Sequence, residues 1–308
     1  MNILKLTSLF AVLIALFTLG SCTESSTTPT NQPWKAEHVI FIGLDGWGSY
    51  SVEKADMPNV KQLMSEGSYT LQKRSVLPSS SAVNWASMFM GAGPELHGYT
   101  TWGSQTPDLP SRELNQNGTF PNIFQLIRDL APDAVMGMMS EWEGIKYIAD
   151  TLALNQYTNA STDNGNLDLR DMGVNYIKEH KPTFAGIIFD SPDDVGHGAG
   201  HDTPEYYEKL TELDGYVGEF IQATKDAGIY DNTIFIVTSD HGGIDKGHGG
   251  KDMMEMETPF IIAGKGIKAG GELKESMMQF DVAPTIAEIF NLEGPQVWIG
   301  RSMSQVFQ

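Results

Sequence analysis

Asp240-His241-Gly242-Gly243 is followed closely by Gly247-His248-Gly249-Gly250, and the glycines let the backbone turn tightly enough to bring both imidazoles to one centre. A third cluster, Pro192-Asp193-Asp194-Val195-Gly196-His197, separates a carboxylate from an imidazole by four positions, and His201 follows. Carboxylate oxygens and imidazole nitrogens in this number suit a hard-to-borderline divalent metal such as zinc or manganese. Of the seven histidines, His197, His201, His241 and His248 all sit in these acidic, glycine-rich turns. Solvated polar loops have no reason to collect them, so the clusters read as metal-binding.

A nucleophile candidate lies far from them. In Leu77-Pro78-Ser79-Ser80-Ser81-Ala82-Val83-Asn84-Trp85, a Pro-ended loop leads into a helix expected from about Ala82. Ser81 then stands at the helix N-terminus, where unpaired N–H groups and the dipole favour an anion. Alone it would read as an N-cap; only beside a metal cluster does it read as a nucleophile. Asn84, three residues on, shares its helix face, and its amide is expected to donate to a bound phosphoryl oxygen.

These residues need a frame that brings them together. Short apolar runs at His38–Leu44, Ala134–Met139, Phe184–Phe189, Thr233–Thr238 and Pro259–Ala263 read as buried strands. Helices are expected over Pro58–Gly67, Ala82–Met90, Pro121–Leu130, Leu169–His180, Pro204–Ala227 and Asp281–Phe290, with loops at 103–119 and 155–167. The alternation indicates an α/β fold, a three-layer sandwich around a largely parallel sheet. Asp45 directly follows one expected strand, Asp190 and Asp193 follow Phe184–Phe189, and Asp240 follows Thr233–Thr238. In an open parallel sheet, residues beyond the carboxyl ends of strands line one shared crevice.

In order and spacing the chain resembles the alkaline phosphatase superfamily, and within it the type I phosphodiesterase/nucleotide pyrophosphatase branch. The resemblance runs from Val39 to Met303. It rests on Phe41-Ile42-Gly43-Leu44-Asp45-Gly46, Met57-Pro58-Asn59, the Ser81–Asn84 loop with Gly91-Ala92-Gly93-Pro94-Glu95-Leu96-His97-Gly98, Pro192–His197, Ser239–His248, Pro259-Phe260-Ile261-Ile262-Ala263-Gly264 and Asp281-Val282-Ala283-Pro284-Thr285. It implies two divalent metal ions, zinc or manganese. One would sit on Asp45, Asp240 and His241, with Ser81 bridging toward it; the other would take Asp193, His197 and His248. His248 is preferred over His201 because Gly198 and Gly200 make a helix across His197 and His201 doubtful. His201 and Lys246 are then left for the substrate mouth. Ser81 stands where many diesterases carry threonine. Gly46 occupies the position of a second aspartate in sulfatases, and the Cys/Ser-x-Pro-x-Arg sequence of sulfatases is missing.

The implied reaction is in-line displacement at phosphorus through a phosphoseryl intermediate, with metals about 4 Å apart stabilising attacking and leaving oxygens. Two dications, three aspartates and one alkoxide sum to near neutrality. The five arginines beyond the leader (Arg74, Arg112, Arg128, Arg170 and Arg301) lie outside the motifs. That tilts the expectation toward diesters or nucleotide pyrophosphates. The alternatives are a phosphomonoesterase, with Lys246 and Lys251 assisting, a sulfatase-like hydrolase, or a metal- or glycan-binding lipoprotein using Trp47, Trp85, Trp102 and Trp142.

The N-terminus bears on location. Lys5, an apolar run from Leu9 to Leu19 and Gly20-Ser21-Cys22 read as a signal peptide over residues 1–21; it resembles the bacterial lipoprotein signal, which implies that Cys22, the single cysteine, is lipidated. Residues 22–35 read as a flexible tether, and 36–308 as one catalytic domain. The protein is expected in the cell envelope, periplasmic or at the outer surface, touching the membrane through its lipid anchor only. The net charge of −19 argues against a nucleic-acid duplex as partner, and it means that the small phosphorylated substrate expected here would need bound cations to be held. No protein partner is evident.

Overall fold

The computed structural model describes residues 33–160 and 166–308. The expected signal peptide, Cys22 and most of the tether lie outside the described residues. Within them the chain is already held at Lys35, whose N–H donates to the Ile289 carbonyl at 2.8 Å, beside Trp34 packed edge-on against Phe290. No helix among the described residues is long and apolar enough to cross a membrane.

The strands are β1 (His38–Leu44), β2 (Ser68–Arg74), β3 (Met136–Ser140), β4 (Gln156–Asn159), β5 (Phe184–Phe189), β6 (Thr233–Thr238), β7 (Glu257–Gly264) and β8 (Gly271–Glu272). They form one sheet in the order β4-β3-β5-β1-β6-β7-β2-β8. β7 is antiparallel to both of its neighbours, and every other pairing is parallel. The expected largely parallel sheet is present.

Near-continuous apolar strands are buried because helices cover both faces. On β1, Val39 and Phe41 face the layer of Ser81–Met90, Ile123–Leu130 and Val282–Ile289. Ile40, Ile42 and Leu44 face Pro58–Glu66, Leu167–His180 and Pro204–Asp226. The six expected helices therefore form, each end shifted by at most a couple of residues. Buried Asp214 ties two of them, accepting the Val60 N–H at 2.7 Å and the Asn59 N–H at 3.0 Å in the first turn of Pro58–Glu66.

Three strands escaped the sequence. β2 reads Ser-Tyr-Thr-Leu-Gln-Lys-Arg and β4 is half-exposed at the sheet edge, so neither carries an apolar run. β8 is a two-residue pairing. By contrast β5, β1 and β6 are adjacent and parallel, so the residues after Phe189, Leu44 and Thr238 emerge side by side.

Candidate active site

Asp45 leaves the end of β1 already oriented. A Cβ on Gly43 would lie 2.5 Å from the Trp85 ring, so glycine there admits the indole, whose Nε1 donates to Asp45 Oδ2 at 2.8 Å. Asp240, after β6, receives the Gly46 N–H on Oδ1 at 3.2 Å. The other oxygens, Asp45 Oδ1 and Asp240 Oδ2, are buried without a hydrogen-bond partner among the described residues. They lie 3.4 and 3.3 Å from His241 Nε2. His241 Nδ1 is 2.8 Å from the Gly242 carbonyl, which can only accept; the ring proton therefore sits on Nδ1, and Nε2 presents a lone pair. Ser81 Oγ is 3.2 Å from the same nitrogen.

Electron pairs converging in a dry site repel one another. Burial, then the charges of Asp240 and Asp193, push the Asp45 carboxyl well above the usual range. Burial and Asp193 raise Asp240 to about 7, and burial with the His248 charge lowers His241 to about 3. A divalent cation reverses the two carboxyl shifts and favours the same neutral imidazole that burial does. The donor set, two orphaned carboxylate oxygens and a deprotonated imidazole nitrogen, fits one.

A second set adjoins the first. Asp193 Oδ2 lies 3.1 Å from His197 Nε2 and 3.4 Å from His248 Nε2, and the three residues can offer ligand atoms within 4.8 Å of one another. Asp45, Asp193 and His241 meet the same criterion, so the sets adjoin through Asp193. Each outer imidazole turns Nδ1 to a carbonyl, His197 to Lys246 and His248 to Ser79, both at 2.9 Å. That is the usual way a protein fixes a ligating tautomer. Burial disfavours the Asp193 carboxylate, but hydrogen bonds from His197, His201 and His248 outweigh it and hold its pKa well below the ordinary value. The Asp193 bond in turn raises His197 to about 9.

Four expectations need correction. First, the glycine-rich turn at Asp193 is a short helix, Asp193–Ala199; it puts Asp193 and His197 on one face and, in keeping with the doubt over a helix through His201, ends at Gly200, φ 114°. Second, His201 does not line the substrate mouth. Its buried ring lies against Gly196 and Gly243, where a Cβ would come within 2.3 and 2.2 Å of it, and its Nε2 is 3.3 Å from Asp193 Oδ1. Third, Lys246 is exposed, donates from Nζ to the Gly198 carbonyl and does not line the cavity over Ser81; Lys251 is exposed as well.

Fourth, Asn84 faces away from any substrate. Its amide nitrogen donates to the carbonyls of Val76, Pro78 and Ser80 at 3.3, 3.1 and 3.0 Å, and its Oδ1 accepts the Val76 N–H at 2.8 Å. The loop before the helix folds over its first turn and uses the whole side chain. Asn84→Ala should therefore act through the fold, costing roughly 2–4 kcal/mol by orphaning buried loop groups. Urea unfolding followed beside kcat checks this. A large kcat loss at unchanged stability would return Asn84 to the chemistry.

Ser81 itself is the first residue of its helix, and Ser80 is the N-cap. Ser80 Oγ makes no capping bond and is buried without a partner among the described residues, on the wall of a cavity of about 680 Å³. Ser81, Asp193, His197 and His248 share that wall with Trp102, Trp142, Asp190 and Asp194. Trp47 and Trp85 are core residues, whereas Trp102 is 67% exposed. Nothing in the sequence singled out Ser80, since an unsatisfied cap looks like a satisfied one. Gly46 has φ 70°, and a Cβ there would meet Asp193 Oδ1 at 2.5 Å. The aspartate that sulfatases place at this position therefore has no room here.

Residues 39–261 match the type I phosphodiesterase / nucleotide pyrophosphatase family, over more than half of the chain. The chain belongs to this family. The family is metal-dependent and hydrolyses phosphoric esters, which accords with the two candidate metal sets. The chain is 31% identical over 152 residues to a phosphopentomutase of Alkaliphilus metalliredigens, covering 49% of this chain and 37% of that protein. It is 22% identical over 221 residues to a bis(5'-adenosyl)-triphosphatase of Mus musculus, covering 67% and 47%. It thus spans less than half the length of either relative. Among solved structures, murine ectonucleotide pyrophosphatase / phosphodiesterase 5, in an inactive form complexed with AMP, superposes with a TM-score of 0.73 at 16% identity. That match covers 88% of this chain and all of the other, and it establishes the shared type I phosphodiesterase fold.

Proposed function

We propose that this protein is an exported, lipid-anchored phosphodiesterase acting on a small phosphorylated substrate, with Ser81 as nucleophile. The observation that carries the reading is Ser81 Oγ standing 3.2 Å from His241 Nε2, beside two buried carboxylate oxygens without a hydrogen-bond partner among the described residues. Asp45, Asp240 and His241 would hold one ion, and Asp193, His197 and His248 the other. Zinc suits this mixture of imidazole and carboxylate best, with manganese next. Bound there, the ions would supply the charge that favours the Ser81 alkoxide and offsets developing charge on the ester oxygens.

The chain's own residues do the rest. The helix start fixes Ser81 Oγ for attack on phosphorus, and its proton leaves through the cavity to solvent. As the new O–P bond forms, the bond to the alcohol breaks, leaving a phosphoseryl group. Water then cleaves that group and returns Ser81.

Neither Lys nor Arg appears among the described residues lining the cavity, and Asp190 and Asp194 add negative charge. A dianionic monoester is disfavoured there. The specificity constant for bis-p-nitrophenyl phosphate should exceed that for p-nitrophenyl phosphate. A hundredfold preference for the monoester, about 2.7 kcal/mol in transition-state binding, would make the protein a phosphomonoesterase instead.

A further inference from the structure

Behind Asp240 lies a buried lysine. β2 carries one residue more than its partner β7: Thr70 pairs with Phe260 and Lys73 with Thr258, so β2 advances three positions while β7 advances two. Side chains alternate along a strand, and a bulge shifts that alternation by one. Lys73 therefore joins Ser68 and Thr70 on the buried side, and Gln72 is left exposed. The Lys73 side chain is fully buried, and its Nζ donates to the Ser239 carbonyl at 2.6 Å and to Gln279 Oε1. Neither acceptor carries a charge. Burial pulls the Lys73 pKa down to about 7, against the opposing pull of Asp240 and Asp281.

The same stretch of chain is held by two further side chains. Gln279, in the short turn Gln279–Asp281, donates from Nε2 to the Asp240 carbonyl at 2.7 Å and to the Ser239 carbonyl at 3.2 Å. Ser75 Oγ donates to the Asp240 carbonyl at 2.7 Å. These two carbonyls belong to the peptide planes before and after Asp240. Fixing both planes fixes the direction in which the Asp240 side chain leaves the backbone, and that of His241 after it. A buried ammonium is a costly way to achieve packing alone, since apolar residues of similar volume fill a core as well or better. We propose that Lys73 is a positioning residue for this hydrolase: from the bulge in β2 it clamps the Ser239 carbonyl and, through Gln279, the Asp240 carbonyl, so that Asp240 and His241 present their ligand atoms to one ion. This rests on reading Asp45, Asp240 and His241 as an ion site, and adds what holds two of those ligands in place.

The test combines zinc binding with turnover in the full chain. Lys73→Met keeps most of the volume and removes the ammonium. In competition with a zinc chelator, one of the two zinc equivalents should bind about tenfold or more weakly than in the unaltered protein. On bis-p-nitrophenyl phosphate, kcat should fall by about tenfold or more with KM little changed. Thermal unfolding of the metal-free variant should stay close to that of the unaltered protein, which a merely structural lysine would not allow. Gln279→Leu, which cuts the link to Asp240, should show the same pattern. The double variant should be no worse than the poorer single one, because the two residues form one clamp. If Lys73→Met does not fold, Gln279→Leu carries the test. Unchanged zinc affinity and kcat in a folded variant would make Lys73 a packing residue and overturn the proposal, as would losses that simply add in the double variant. If the unaltered protein binds zinc but leaves the diester uncleaved, the hydrolase reading falls, and the zinc affinities still decide the clamp.

Discussion

Ser81→Ala should abolish diester hydrolysis, with kcat falling by at least roughly 10⁴-fold, while the fold and the metal content stay nearly intact. The size of the effect follows from the step removed. Without Oγ there is no acceptor for the phosphoryl group, and water must attack directly from bulk. Little else should change, because the only hydrogen bond of the Ser81 side chain among the described residues is the one to His241 Nε2, and the helix keeps Ser80 as its N-cap. Steady-state kinetics on bis-p-nitrophenyl phosphate, with circular dichroism and metal analysis on the same preparation, would decide it. Wild-type-like turnover in Ser81→Ala would take Ser81 out of the mechanism.

His248→Ala should lose about one equivalent of metal and at least roughly 100-fold in activity, whereas His201→Ala should keep both equivalents. The two histidines both approach Asp193, His248 at Oδ2 and His201 at Oδ1. They differ in setting. His248 shares Oδ2 with His197 on the cavity wall, and its ring stacks on His241 with centroids 3.8 Å apart. His201 is enclosed between Gly196 and Gly243, so its loss should appear as a destabilisation of about 3 kcal/mol from the space left behind. Mass spectrometry under non-denaturing conditions counts the ions, and thermal unfolding reports the stability. If His201→Ala loses an ion and His248→Ala does not, their roles are exchanged.

The sequence by itself determined the sheet's centre and which residues gather at its edge. β1, β5 and β6 are apolar throughout because both faces are covered, and a buried strand has no polar face to blur its pattern. Since consecutive parallel strands end at one edge, Asp45, Asp190 and Asp240 had to converge, and the glycine-flanked histidines came with them. β2 and β4 were not legible, because strands at or near an edge bury less and carry mixed side chains. Only the tertiary structure decided what each polar side chain faces. Helical spacing put Asn84 on the same face as Ser81, but the loop that folds back over that face claims its amide. Four-residue spacing links Asp193 to His197 and His197 to His201, but only the structure shows that the helix stops at Gly200, between the two histidines, and that His201 is buried. The cavity wall shared by Ser80, Trp102, Trp142 and Asp190 joins residues from separate segments, and no local spacing encodes it. Periodicity reports which residues are buried together; the partner of a hydrogen bond is set by how loops pack, and that is a property of the whole fold.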